Sequence, residues 1–188
     1  VKGGGRRPGD TEQNALPPRL RDGRPLDLLL NTHLHSDHCG GNARLQRVFG
    51  AEAWVPLGEA ALARQWEEDH LSHGLSGQYC PRFKVHHTLV AGDTVEAGGR
   101  AWEVLAAPGH DPHALMFFDR TNGLLFSGDA LWRRGHAVVF PELQGDSGFE
   151  EALWTLDSVA RLPVRCVVPG HGAVFEGVRD AVVQARAR

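Results

Sequence analysis

The spacing of apolar and polar positions along this chain changes character several times, and each change marks an element. Residues 26–31 form a short, nearly continuous apolar run, as expected of a strand buried on both faces. A polar loop over 32–42 follows, and then a helical segment over 43–49. Ala60, Leu62, Ala63 and Trp66 share one face of a helix predicted from Leu57 to about Leu71, with Glu67, Glu68 and Asp69 near its end. Residues 83–90 alternate in part, as a strand does, and 93–100 carry turn chemistry at Ala97-Gly98-Gly99. A strand over 101–106 runs into Pro108-Gly109-His110. Strands over 114–118 and 124–127 flank Arg120-Thr121-Asn122-Gly123, whose Asn-Gly step is a strong hairpin signal. Phe149, Leu153, Leu156, Val159 and Ala160 make one stripe of a helix over 148–162. A strand over 164–168 then ends at Pro169-Gly170-His171, and 177–188 reads as a final helix. The fold class is therefore α/β, with mixed sheets and helices packed on their faces.

Residues 1–25 stand apart, because they are rich in Gly, Pro and Arg and have hardly any apolar periodicity. Such a segment cannot bury enough surface to offset chain entropy, so a flexible tail is expected, with the folded domain running from 26 to 188. Across the whole chain, 41% hydrophobic and 23% charged residues is an ordinary globular balance. No apolar run approaches the roughly 20 residues that span a bilayer, which argues against a membrane protein. A net charge of −3 without a basic block argues against nucleic acid. Three widely spaced cysteines, Cys39, Cys80 and Cys166, fit neither a disulfide framework nor a paired-cysteine zinc site. They read as buried thiols, and with no apolar leader in view a cytoplasmic address is expected.

Histidine is what departs from the ordinary, with 11 copies in a chain that has a single tyrosine and a single methionine. His33, His35, Asp37 and His38 crowd one loop directly after the first predicted strand. Imidazoles and a carboxylate suit zinc and related divalent metals. On an extended backbone His33 and His35 project to the same side, and a bend frees Asp37 and His38 to address a second point. Four adjacent ligands crowd a single tetrahedral ion, so two metals are the natural arrangement. Three more candidates, His110, Asp129 and His171, each follow the C-terminal end of a predicted strand, where ligands gather in open α/β sheets. Gly109, Gly128, Gly170 and Gly172 adjoin them and permit tight turns.

The set His33-x-His35-x-Asp37-His38, His110 in Pro-Gly-His, Asp129 in Ser-Gly-Asp-Ala-Leu, and His171 in Pro-Gly-His-Gly resembles the metallo-β-lactamase fold superfamily. Within it, the chain most resembles the glyoxalase-II-like zinc hydrolases. The resemblance implies an αβ/βα sandwich of mixed sheets with outer helices and the site at one edge. It also implies that His33, His35 and His110 hold one metal and that Asp37, His38 and His171 hold the other, with Asp129 bridging. The cofactor is then two divalent ions, zinc by expectation, with iron or manganese as alternatives. The activity implied is hydrolysis of an ester, thioester or related acyl bond of a small molecule by a metal-bridging hydroxide, with Asp37 orienting the nucleophile and moving its proton. Ser36 and Cys39 read as loop and packing residues.

Where this chain departs from relatives, the substrate narrows by exclusion. The superfamily's entry strands have no counterpart in the composition of 1–25, so the first sheet is expected to lack them, and a truncated fragment of little activity is one alternative. Only 172–188 follows His171, too little for the helical domain with which classical glyoxalase II grips glutathione. Lactonase relatives carry a tyrosine three residues after the bridging aspartate, where this chain has Trp132. β-Lactamase members generally lack the bridging aspartate itself. A further alternative is a mono-iron oxygenase resembling the persulfide dioxygenases, which would use His33, His110 and Asp129. His113 is read as a loop histidine or a partner to a ligand. Arg133, Arg134 and His136 are read as a pocket border or a solvated face, Trp132 as a pocket wall or a packed core indole, and His70, His73, His86 and His87 as surface or interface residues.

Overall fold

The computed structural model describes residues 26–67, 71 and 79–187. The expected tail over 1–25 and the histidines His70 and His73 lie outside them. The chain divides into two compact units, one reaching to Thr88 and the other beginning at Leu89. Among the described residues no helix is long and apolar enough to cross a membrane.

The first unit contains β1 (Leu28–Leu30), α1 (Ser36–Cys39), α2 (Asn42–Phe49), β2 (Glu52–Pro56), α3 (Leu57–Gln65) and β3 (Val85–Leu89). Its sheet has the order β1-β2-β3, and β1 runs parallel to β2 with Leu28 opposite Glu52 and Leu30 opposite Trp54. A parallel pair needs a crossover, and α1 and α2 supply it. Gly50 ends α2 in the left-handed conformation, its N–H on the Gln46 carbonyl. The sequence reading left 50–56 unassigned, yet Ala51, Ala53 and Val55 turn inward while Glu52 points out, the alternation of a half-buried strand. In contrast to the expectation of a strand buried on both faces, β1 is half-buried at all three positions, and among the described residues it is the outer strand of this sheet. Helix α3 stops short of the expected Leu71. Trp66 takes a left-handed φ of 64°, the Glu67 N–H returns to the Leu62 carbonyl, and the indole packs edge-on against Phe83. Leu34, Cys39, Ala53, Val55, Ala60, Ala63 and Phe83 belong to the core of this unit.

The second unit contains β4 (Thr94–Ala97), β5 (Arg100–Ala106), β6 (Leu115–Asp119), β7 (Leu124–Gly128), α4 (Phe140–Gln144), α5 (Phe149–Arg161), β8 (Cys166–Pro169) and α6 (Val178–Arg186). Its sheet order is β4-β5-β6-β7-β8, with antiparallel pairs up to β7 and a parallel β7–β8 pair. Strands β5, β7 and β8 therefore point the same way, and their C-terminal ends share one edge. Gly98 and Gly99 both have positive φ, as a two-residue turn between β4 and β5 demands. Met116, Phe118, Leu125 and Val167 from the sheet, Leu156 and Val159 from α5, and Val178, Ala181 and Val182 from α6 form the core. The stripe read for α5 is shifted. Thr155, Leu156 and Val159 are buried, whereas Phe149 and Leu153 are exposed at 57% and 42%. The short helix α4, which the sequence reading did not include, lies ahead of the α5 N-terminus, and Glu142 accepts the N–H groups of Gly148 and Phe149 there.

Candidate metal centre

In the first unit, the chain bends at Thr32 after β1, and His35, extended at φ −61° and ψ 146°, opens the single turn of α1. Leu34 turns into the core, and its N–H donates to Oε1 of Glu59 on α3 at 3.1 Å. On either side of it the rings of His33 and His35 meet edge to face, centroids 4.6 Å apart. The turn of α1 carries His38 back to His33, with ring centroids at 4.2 Å, and places Oδ2 of Asp37 3.6 Å from Nε2 of His38. All four predicted ligands of the loop thus gather. The base of the loop is clipped: Asn42 donates to Oδ1 of Asn31 at 2.8 Å, and the Asn31 amide donates to the Trp54 carbonyl at 3.0 Å. Sequence reasoning missed Glu59, Asn31 and Asn42. The signal was faint, since a polar residue on a helix face reads as solvated until its burial is seen.

In the second unit, His110, Asp129 and His171 follow β5, β7 and β8, at the edge those strands share. Gly109 has a φ of 137°, and a Cβ on it would stand 2.7 Å from Cβ of Ala152 on α5. Thr155 on the same helix donates to the Pro108 carbonyl at 2.8 Å. Pressed in this way, His110 is buried, with Nδ1 2.5 Å from the Val138 carbonyl. A carbonyl only accepts, so Nδ1–H is the donor of this bond, and Nε2 is the nitrogen that faces the other candidate ligands. The ladder between β7 and β8 shifts register between Phe126 and Gly128, directly before Asp129.

Asp129 is buried, and its two oxygens serve different neighbours. Oδ2 lies 3.4 Å from Nε2 of His110, and Oδ1 lies 3.7 Å from Nε2 of His171. Both separations exceed a good hydrogen bond. They match ligands arranged around an ion, because tetrahedral donors at 2.0–2.1 Å from zinc stand roughly 3.4 Å from one another. The donor set and this spacing fit divalent metals. The two histidines differ in access: His171 is 44% exposed at the side chain and His110 is 7%. Trp132 donates its indole N–H to Oδ1 of Asp129 at 3.2 Å, so it reaches a predicted ligand directly.

The remaining residues have plainer roles. His113 is exposed, and its backbone N–H, not its ring, meets Asp111. Arg133 and Arg134 are exposed on the turn closed by the Trp132 N–H and the Gly135 carbonyl, and His136 bonds the Ala137 carbonyl through Nδ1. His86 is not a bare surface residue, since its Nδ1 accepts the Ala53 N–H and so ties β3 to β2, while His87 pairs with Glu52. Cys39 and Cys80 are buried free thiols with sulfurs 3.6 Å apart, and Cys166 is half-buried. The hydrogen bond to Cys80, together with burial, holds the Cys39 thiol well above its ordinary value, so it is not an activated nucleophile.

Mixed sheets, outer helices and donor residues at strand ends define an α/β protein equipped to bind metals. The chain belongs to the metallo-beta-lactamase superfamily, whose family model matches residues 4–171. It is 29% identical to the acyl-coenzyme A thioesterase MBLAC2 of Gallus gallus, over 87% of this chain and 62% of the relative. It is 30% identical to a hydroxyacylglutathione hydrolase of Hyphomonas neptunium, over 71% of this chain and 43% of that protein. The chain thus spans less than two thirds of the length of either enzyme. Among solved structures, TTHA1623 in a di-iron-bound form superposes with a TM-score of 0.69 at 26% identity, covering 94% of this chain and 85% of that one.

Proposed function

We propose that this chain is a binuclear metal-dependent hydrolase that cleaves the acyl bond of a small ester or thioester. The observation that carries the reading is Asp129, a buried carboxylate with one oxygen toward His110 and the other toward His171. A carboxylate so placed could serve two cations at once, and a buried carboxylate calls for compensating positive charge around it. In this reading His33, His35 and His110 hold one ion, Asp37, His38 and His171 hold the other, and Asp129 is common to both. Zinc is the metal proposed, from the nitrogen-rich donor set. When bound, such ions acidify water and polarise the acyl carbonyl.

The protein's own part is to hold and orient. The Val138 carbonyl fixes the His110 tautomer, Glu59 anchors the backbone between His33 and His35, and Asp37, the most exposed of the loop ligands, orients the attacking water and accepts its proton on a carboxylate oxygen. No serine or cysteine nucleophile is needed. The thioester class is supported by the two relatives, whose names specify acyl-coenzyme A and hydroxyacylglutathione as substrates.

Metal analysis of the purified protein, paired with turnover of a panel of acyl thioesters and esters, tests this. Close to two ions per chain and chelator-sensitive hydrolysis are expected. A folded chain that binds no metal overturns the reading. Iron with oxygen uptake on a glutathione persulfide, and no acyl hydrolysis, replaces it with the oxygenase.

A further inference from the structure

Trp132 touches two of the proposed ligands at once. Its Nε1–H donates to Oδ1 of Asp129 at 3.2 Å, and its ring meets the His171 imidazole edge to face with centroids 5.3 Å apart. The indole is not a loosely held surface group. The Trp132 backbone N–H donates to the Gly135 carbonyl at 2.7 Å, and the preceding Leu131 is fully buried, with its carbonyl accepting the Ser127 hydroxyl. Both of its contacts fall on the same side of the carboxylate, that of Oδ1 and His171. The opposite oxygen, Oδ2, faces His110, whose ring is fixed by other groups, the Val138 carbonyl and Phe140.

We infer that Trp132 is a positioning residue for one of the two metal positions only, the one served by Oδ1 of Asp129 and by His171. A carboxylate oxygen has two lone-pair directions. With the indole N–H occupying one, the other is confined to the His171 side. The indole edge also restrains a histidine that is otherwise half in solvent and would lose rotamer freedom on binding an ion. Groups that orient a ligand in this way change metal affinity by about 10–100-fold when removed. The indole's contacts reach Oδ1 and His171 rather than Oδ2 and His110, so the two ions should respond unequally. This inference rests on the binuclear reading above.

The test is stepwise removal of zinc from the loaded full chain by a competing chelator, in the parent and in Trp132→Phe and Trp132→Leu. The readout is the affinity of each ion, not turnover. Trp132→Phe keeps a ring beside His171 but has no indole N–H, and is expected to weaken one ion about 10-fold. Trp132→Leu loses both contacts and is expected to approach a 100-fold loss for that ion, with the other ion within about 3-fold of the parent in both variants. Two ions held by both variants as tightly as by the parent overturn the inference alone. Equal weakening of both ions also overturns it, by showing a general packing role. A parent that holds no second ion overturns the binuclear reading and this inference together. Trp132→Phe is the variant that preserves packing, so it decides the matter if Trp132→Leu does not fold.

Discussion

His110 presents Nε2 to Oδ2 of Asp129 at 3.4 Å while its other ring nitrogen is held on the Val138 carbonyl. This pairing makes the imidazole a lone-pair donor of fixed direction and leaves the carboxylate's second oxygen for His171. The consequences can be read as metal binding, stability and pH dependence.

Asp129→Ala removes the group proposed to be common to both ions. Metal content should fall toward one ion or fewer, with hydrolysis nearly abolished, whereas His171→Ala should weaken mainly one ion. His113→Ala, at an exposed loop residue, should leave metal content unchanged. Metal analysis after gel filtration distinguishes the three. Two tightly held ions in Asp129→Ala would remove the bridging assignment.

Glu59 should matter to the ligand loop although it is not a proposed ligand. Glu59 is 6% exposed and its carboxyl oxygen accepts the Leu34 N–H, and leaving such a buried donor without its acceptor costs about 1–3 kcal/mol. Glu59→Ala should lose about that much stability in denaturant titration and also weaken metal binding. Glu59→Gln, which retains an acceptor oxygen, should lose less of both. Unchanged metal affinity in Glu59→Ala would show that the loop holds its shape without this anchor.

Two glycines with left-handed backbone should differ in their tolerance of alanine. At Gly98 a Cβ meets open space, so only the conformational penalty of about 1 kcal/mol applies. At Gly109 the same penalty is joined by overlap with the Ala152 backbone and side chain, and a total of about 2–4 kcal/mol is expected. Thermal unfolding should place Gly109→Ala well below Gly98→Ala. Equal melting temperatures would mean that α5 can shift away from Gly109 freely.

Asp119 sets the sign of one acid limb. Its burial alone would raise the carboxyl, but hydrogen bonds from the Asn122 side chain and backbone and from Arg100 outweigh burial and hold it below the usual range. A group depressed in the folded state stabilises above the unfolded value, about 3.9, and that contribution disappears as pH falls through the folded value. Asp119→Asn should therefore melt below the parent at pH 7, and the gap should close as pH falls below about 4. A gap that is constant with pH would assign the effect to packing.

Much of the site was legible because coordination chemistry is a property of side-chain type and local spacing. His33 and His35 are two positions apart and their rings meet, and Asn122-Gly123 turns β6 into β7 because that step favours a hairpin loop. Helices α2, α5 and α6 and most of the strands follow from local periodicity in the same manner. These features need no knowledge of distant residues.

What only the tertiary structure decided involves groups far apart in the chain. The stripe of α5 was misplaced because periodicity shows that a helix has an apolar face but not which edge of that face the sheet covers; Phe149 and Leu153 fall outside it. Glu59 reads as a solvated helix residue until the Leu34 N–H, 25 positions away, is found on it. The indole of Trp132 reaches Asp129 only because the turn closed by Gly135 brings it there. The sequence by itself determined the candidate donor residues and the strand ends that carry them, since both depend on neighbours a few residues apart. The fold alone decided which buried polar groups steady those ligands, because a hydrogen bond across the core depends on how elements pack and leaves no mark in local spacing.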